Sequence, residues 1–141
     1  MIAVFGGALI LLSSLYAMLS TVMGTCTMGS ADELVVGGLV AAVGYGVGMA
    51  LLIARPPNAL GWVLLSPVVA VVAYQAYLAS SFFIAYHVHS LSACAWKQGI
   101  PEFDADGREP WLTALWVGVS AFGLTGFGLA WLRGWRLRSA R

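Results

Sequence analysis

The sequence predicts an all-α, polytopic membrane protein whose four transmembrane helices form one bundle. Its four apolar stretches, residues 2–23, 34–54, 60–88 and 111–132, contain no Asp, Glu, Lys or Arg. Each stretch is long enough to cross a bilayer, which needs about 20 apolar residues of helix. The chain of 141 residues is 60% hydrophobic and only 9% charged, and a soluble domain of this size needs far more charge on its surface.

The lengths of these stretches favour helices over a β-barrel, whose strands need only about 10 alternating residues. Little sequence remains outside them, so we expect a single domain over residues 1–141 that ends in a basic tail, residues 133–141. No Lys or Arg precedes residue 55, whereas a signal peptide has basic residues before its apolar core. We therefore interpret the first stretch as a retained helix.

Basic residues are distributed unevenly between the two sides of the predicted bundle. With four spans, the second loop and the tail lie on one side and hold five basic residues, against two in the third loop. The positive-inside tendency places that side, and both termini, in the cytoplasm. We expect a multi-pass protein of a bacterial inner membrane. The five residues are Arg55, Arg133, Arg136, Arg138 and Arg141.

The basic tail predicts contact with the lipid bilayer. Each Lys or Arg close to an anionic membrane surface contributes about 1 kcal/mol of binding free energy. A docking strip for a cytoplasmic protein is the alternative interpretation. We expect no nucleic-acid partner.

Two cysteines lie at the predicted outer ends of the first and third helices. Both Cys26 and Cys94 reach the extracytoplasmic side, which is oxidising in bacteria, so a structural disulfide is expected. A membrane thiol oxidase is the alternative, but such enzymes relay one disulfide to a second pair of cysteines. This chain has one pair.

Small residues recur at helix-packing intervals in the second and fourth stretches. Helices in lipid associate through close backbone approach, which small side chains permit. The predicted packing positions are Gly37, Ala41, Gly44 and Gly48, and then Ala114, Gly118, Ala121, Thr125 and Gly128. Further glycines, such as Gly46, Gly123 and Gly126, lie off these two seams. That surplus favours a partner helix from another membrane protein or from a second copy.

The third stretch carries the polar side chains of the predicted membrane interior. Tyr74, Tyr77 and Ser81 share one helical face, and Gln75 lies beside them. Hydrogen bonding between helices is one interpretation, since a polar group in hydrocarbon needs a partner. A polar ligand pocket open to the outer leaflet is the other.

A group of copper(I)-type ligands lies near the predicted outer surface. His87 lies at the end of the third stretch and His89 directly after it, and Met28 follows Cys26 in the first loop. Thioether, thiolate and imidazole groups suit copper(I), provided that Cys26 is reduced. Interfacial anchoring of the helix end by the histidines is the alternative, and we expect no cofactor.

The second loop, Arg55-Pro56-Pro57-Asn58-Ala59-Leu60-Gly61-Trp62, resembles a segment of the multi-helix membrane domains of bacterial sensor histidine kinases and related signalling proteins. Their pattern is R-P-x-N-P-[IL]-G-W, and Ala59 replaces its second proline. The resemblance covers eight residues and the helix that they open. It implies a tight turn in which Asn58 caps the third helix and Trp62 anchors it. Without an output domain, it implies a sensing or partner-binding membrane module.

Three functional classes remain open. The first is a non-enzymatic accessory subunit or sensor-like module that acts by helix–helix association. It is favoured because the apolar stretches lack the ionisable residues that usually mark pumps, relays and catalytic sites. The second is a small transport or ligand-binding bundle that uses the polar third helix, and the third is an extracytoplasmic redox or copper protein.

The topology is testable by single-cysteine labelling in a variant that lacks Cys26 and Cys94. Cysteines at positions 58 and 139 should be protected from an impermeant reagent added outside, because they lie on the side richer in basic residues. A cysteine at position 105 is the control that should react. Labelling of position 58 or 139 from outside would show that the predicted orientation is wrong.

Overall fold

The computed structural model describes residues 2–26, 31–92, 95–96 and 109–139, and within these ranges the side chains outside residues 21–26, 31–32 and 109. Four long helices account for nearly all of them: α1 (Ile2–Cys26), α2 (Ala31–Ala54), α3 (Ala59–His89) and α4 (Glu109–Ser139). Each helix is long and apolar enough to cross a membrane. A helix satisfies its own backbone hydrogen bonds, as hydrocarbon requires. The predicted all-α, multi-pass fold is confirmed.

The helices form a closed ring in the order α1, α2, α4, α3, and each helix packs against its two neighbours in that ring. α2 and α4 run parallel, because Gly38 lies beside Leu115 and, further along both helices, Gly126 lies beside Met49. α2 and α3, although consecutive in the chain, lie diagonally opposite each other. The short connection at residues 55–58 therefore crosses one end of the bundle.

Two contacts hold this connection in place, one to α3 and one to α4. Asn58 caps α3 as predicted, because its Oδ1 accepts a hydrogen bond of 2.8 Å from the Gly61 backbone N–H. Pro56 lies against Gly134 of α4, where a Cβ would come within 3.1 Å of the proline ring. We call this end of the molecule, with the arginines of the connection and of the α4 C-terminus, the basic end.

Proline within α3 is accommodated by a neighbouring hydroxyl. Pro67 has no N–H to donate to the Val63 carbonyl one turn earlier. The Ser66 hydroxyl donates to that carbonyl instead, at 2.7 Å. In a membrane helix such a side chain replaces the lost backbone bond, so α3 continues through the proline.

The fourth helix is longer than the predicted apolar stretch. Residues 133–139, expected as a basic tail, continue α4 for about two turns. Leu and Arg are strong helix formers, and the Ser139 hydroxyl donates to the Trp135 carbonyl at 3.0 Å. The arginines of this segment are therefore fixed on particular faces of a helix rather than spread along a flexible strip.

The closest helix–helix approach joins α1 and α2. At Gly48 an added Cβ would lie 2.8 Å from the Gly6 carbonyl oxygen and 2.5 Å from Ile10 Cγ1. At Gly44 it would collide with the Ser13 side chain. These two glycines let the two backbones approach closely, as small residues do in membrane bundles.

Replacing these packed glycines should cost stability. Gly48→Ala should lower the free energy of unfolding in mixed micelles by about 1–3 kcal/mol, because the new methyl group is forced into backbone that has no room to yield. Gly118→Ala is the matched control, since Gly118 has open space around it. It should be neutral or stabilising by up to about 1 kcal/mol, because alanine favours the helix. Equal effects at the two positions would contradict this account of the packing.

Candidate functional site

Three polar side chains are linked by hydrogen bonds through the centre of the bundle. The Tyr45 hydroxyl of α2 donates to Gln75 Oε1 of α3 at 2.8 Å and lies 2.8 Å from the Ser14 hydroxyl of α1. Ser14 also bonds the Ile10 carbonyl at 2.8 Å. Because two hydroxyls supply the hydrogens for three bonds, Ser14 shares its hydrogen between Ile10 and Tyr45. We call Ser14, Tyr45 and Gln75 the central polar chain.

The central polar chain is sealed from the surroundings. Ser14 and Tyr45 are fully buried, and Gln75 is 3% exposed. Glycine on α4 makes the room for the tyrosine ring, because a Cβ at Gly123 would lie 2.9 Å from its Cδ2 atom. With this room, the tyrosine side chain extends across the centre of the bundle, from α2 to Gln75 on the diagonally opposite helix α3.

Some buried polar atoms of α3 and α4 lack a protein partner within the described part of the chain. They are Gln75 Nε2 on α3, and Ser120 Oγ and Trp116 Nε1 on α4. Ser120 lies one turn from Gly123 on the buried face of α4 and is fully buried. Each of these atoms keeps a hydrogen-bonding capacity that no described protein atom uses.

The structure does not bring together the predicted polar pocket of α3. Tyr74 and Tyr77 are 52% and 67% exposed, and their rings stack at 6.5 Å on the outside of the bundle. Gln75 points inward to Tyr45, and the Ser81 hydroxyl donates to the Leu78 carbonyl at 2.8 Å. The predicted pocket is therefore not formed. Gln75 makes a hydrogen bond inside the bundle, and Tyr74 and Tyr77 form a separate aromatic pair on its outside. Helical geometry explains the difference, because adjacent positions point in different directions.

The two histidines contact separate aromatic partners. His87 lies against Phe83, with ring centroids 4.2 Å apart, and His89 stacks on Trp96 at 5.3 Å. Within the described residues, no three His, Cys, Asp or Glu side chains are grouped as metal ligands. Met28, the third predicted copper ligand, lies outside the described residues.

The predicted disulfide also lies outside the described part of the chain. Cys94 is not among the described residues, and for Cys26 only the backbone at the end of α1 is described. The bond between the two cysteines stays a prediction.

The two predicted packing seams have different positions in the fold. On α2, Gly37 contacts Ser20 of α1, Ala41 is fully buried, and Gly44 and Gly48 face α1 as described above. The α4 seam, by contrast, is exposed along its whole length. Its members are Ala114, Gly118, Ala121, Thr125 and Gly128.

The expectation that the α4 seam packs inside this bundle is therefore corrected. Gly118 and Gly128 have no described atom within 4 Å of an added Cβ. The packed glycines of α4 are instead Gly123 and Gly126, which receive the large side chains Tyr45 and Met49 of α2. We call the exposed seam of α4 the outer stripe. It lies opposite the buried face of the same helix.

A groove of about 540 Å³ opens at the basic end between α3 and α4. Its wall includes Trp62 and Trp131, whose rings meet edge to face with centroids 5.4 Å apart. Asn58 and Arg138 lie on the same groove. We call it the basic-end groove.

No protein-family model, curated protein or solved structure matches this chain. The fold defines a multi-pass membrane protein, built as a closed four-helix bundle with a buried polar centre.

Tyr45 does not stand out in the sequence by charge or motif. Its flanking residues, Gly44 and Gly46, do not reveal the contact, because adjacent positions of a helix point in different directions and the ring fills space beside Gly123 of α4. Its two hydrogen-bond partners lie on different helices, and no local spacing links them.

The central polar chain is testable by a matched pair of substitutions. Tyr45→Phe should lower the free energy of unfolding by about 1–3 kcal/mol, because two buried groups lose their shared partner. Tyr74→Phe removes the same hydroxyl from an exposed ring and should change stability by less than about 0.5 kcal/mol. Unfolding in mixed micelles measures both.

A double-mutant cycle then isolates the bond. The coupling between Tyr45→Phe and Gln75→Leu should be about 0.6 kcal/mol, and at most about 1.7 kcal/mol, as for hydrogen bonds in another membrane protein. Strict additivity of the two substitutions would show that Tyr45 and Gln75 do not stabilise each other.

Proposed function

We propose that this protein is a non-enzymatic integral membrane protein that acts by helix–helix association, as an accessory subunit or sensor-like module of a membrane complex. The observation that carries the proposal is the outer stripe of α4. The proposed setting is a bacterial inner membrane with both termini in the cytoplasm, supported by the five arginines that the sequence has in the second loop and after the fourth apolar stretch.

The outer stripe has the composition of a helix–helix interface but faces away from its own bundle. Lipid tails are as apolar as leucine, so helices in membranes gain little from hydrophobic burial and depend on close packing. Gly118 and Gly128 leave the α4 backbone open to such an approach. The Thr125 hydroxyl already donates to the Ala121 carbonyl at 2.8 Å, so this hydrogen needs no other partner.

The rest of the bundle supports a scaffold rather than a transport path. Its polar centre is closed, and the polar residues of α3 do not line a common pocket. Asn58 caps α3 at the end of the second loop, the segment whose sequence resembles part of signalling membrane domains. A sensor-like module is therefore one form of the proposed association.

Photocross-linking in native membranes tests this proposal. A photoreactive residue at position 121, on the outer stripe, should form an adduct with a protein, either a second copy or another membrane protein. Position 70 is the control, because Ala70 is exposed on α3. We expect lipid adducts alone from that position.

The matched substitutions Ala121→Leu and Ala70→Leu complete the test. Ala121→Leu should remove most of the adduct formed from position 118 while leaving the melting temperature of the monomer unchanged, because the added side chain holds a partner helix away. Ala70→Leu should change neither quantity. Equal cross-linking from positions 121 and 70 would overturn the proposal. So would turnover of a solute, thiol, quinone or metal ion by the purified protein in liposomes.

A further inference from the structure

The basic-end groove carries chemistry that association through the outer stripe does not use. It lies between the first turns of α3 and the last turns of α4 and has a volume of about 540 Å³. This volume is within the range of about 300–1,000 Å³ that is usual for small-molecule sites. Its lining includes Asn58, Trp62, Val63, Ser66, Trp131 and Arg138.

The residues that line the groove change from polar at its outer end to apolar deeper in the bundle. Arg138 and Asn58 lie at its outer end, since one is near the end of α4 and the other caps α3. Trp131 is seven residues before Arg138 on α4, about 10 Å deeper at the rise of an α-helix. Val63 of α3, which is 67% exposed, lines the deeper, apolar part of the groove. The groove thus passes from a charged mouth to an apolar interior.

The polar groups at the mouth are available to a ligand. Asn58 uses its Oδ1 to cap α3, which leaves its Nδ2 group as a donor. No carboxylate within the described residues forms an ion pair with Arg138. In the sequence, all six acidic residues lie at positions 32–33 and 102–109, away from the second loop and the C-terminal segment. The mouth therefore favours an anion.

We propose that the basic-end groove binds one anionic phospholipid. The phosphate lies at Arg138 and the Asn58 amide, and the glycerol and first acyl carbons lie along Trp131 and Val63. Tryptophan is favoured at this depth because its ring is amphipathic. Basic pockets between transmembrane helices bind anionic headgroups in this way.

An anionic lipid fits these observations better than a soluble anion or a protein segment. A free phosphate would use the mouth and leave the apolar wall of tryptophan and valine uncovered. An acidic peptide would place polar backbone against that same wall, at a cost in unsatisfied hydrogen bonds. Both are nevertheless distinguishable outcomes of the experiment.

Native mass spectrometry of the full chain in detergent measures the proposed binding. The probes are phosphatidylglycerol and phosphatidylcholine with identical acyl chains, and the competitors are inorganic phosphate and an acidic peptide. We expect one phosphatidylglycerol to bind at least about fivefold more tightly than phosphatidylcholine, the change that one charge contact at a membrane surface gives. Inorganic phosphate at millimolar concentration should not displace it.

Two arginine variants assign the site. Arg138→Gln should reduce the preference for phosphatidylglycerol by about fivefold. Arg133→Gln is the control, because Arg133 is exposed on α4 and does not line the groove. It should leave the preference within about twofold, and both variants should keep the wild-type melting temperature, as surface substitutions usually do.

A third variant tests the apolar wall. Trp131→Ala should weaken the binding of both lipids, because it removes the ring against which the glycerol and acyl carbons lie. The proposal is overturned by equal binding of the two lipids or by equal effects of Arg138→Gln and Arg133→Gln. It is also overturned by displacement with inorganic phosphate or by preferential binding of an acidic peptide. Since the monomer is measured, none of these results depends on association through the outer stripe.

Discussion

The hydroxyl of Tyr45 is the contact on which the arrangement of this bundle depends. In hydrocarbon a polar group has no water to bond, so each one constrains the helices that supply its partners. Tyr45 bonds Ser14 on α1 and Gln75 on α3, two helices that are also neighbours of each other. A single side chain of α2 thereby fixes the relative height of three helices. The fourth is set by the same ring, which fills the space beside Gly123.

Two kinds of glycine contact surround that residue. Between α1 and α2, glycine lets backbone meet backbone, as at Gly48 and Gly6. Between α2 and α4, glycine receives a large side chain, as Gly126 receives Met49. The first kind gives close approach, and the second gives a wider separation that is filled by the larger residue. The ring of four helices thus has unequal sides.

This difference explains how far the sequence predicts the fold. Span number, fold class and the Asn58 cap follow from composition and local patterns, and the structure has them. The α2 packing positions also follow from spacing alone. The inward face of α4 does not follow from spacing, because the residues of the outer stripe are about as small as the buried Gly123 and Gly126. Only the side chains of α2 that fill those spaces decide which face turns inward.

The polar residues show the same limit. Gln75 and Tyr77 are near neighbours in the sequence and both are polar, yet one is 3% exposed and the other 67%. The partner that draws Gln75 inward is 30 residues away on another helix. A helical face can be assigned from spacing, but its orientation depends on a partner that spacing does not reveal.

The outer stripe and the basic-end groove lie on different faces of α4, and this separation follows from helical geometry. Trp131 and Arg138 are seven residues apart and therefore point the same way, towards α3. The outer stripe points away from the bundle altogether. The extension of α4 as a helix through Ser139 is what holds Arg138 in line with Trp131. A flexible tail would spread its charge over the membrane surface, whereas a helical one places a single arginine at the mouth of the groove.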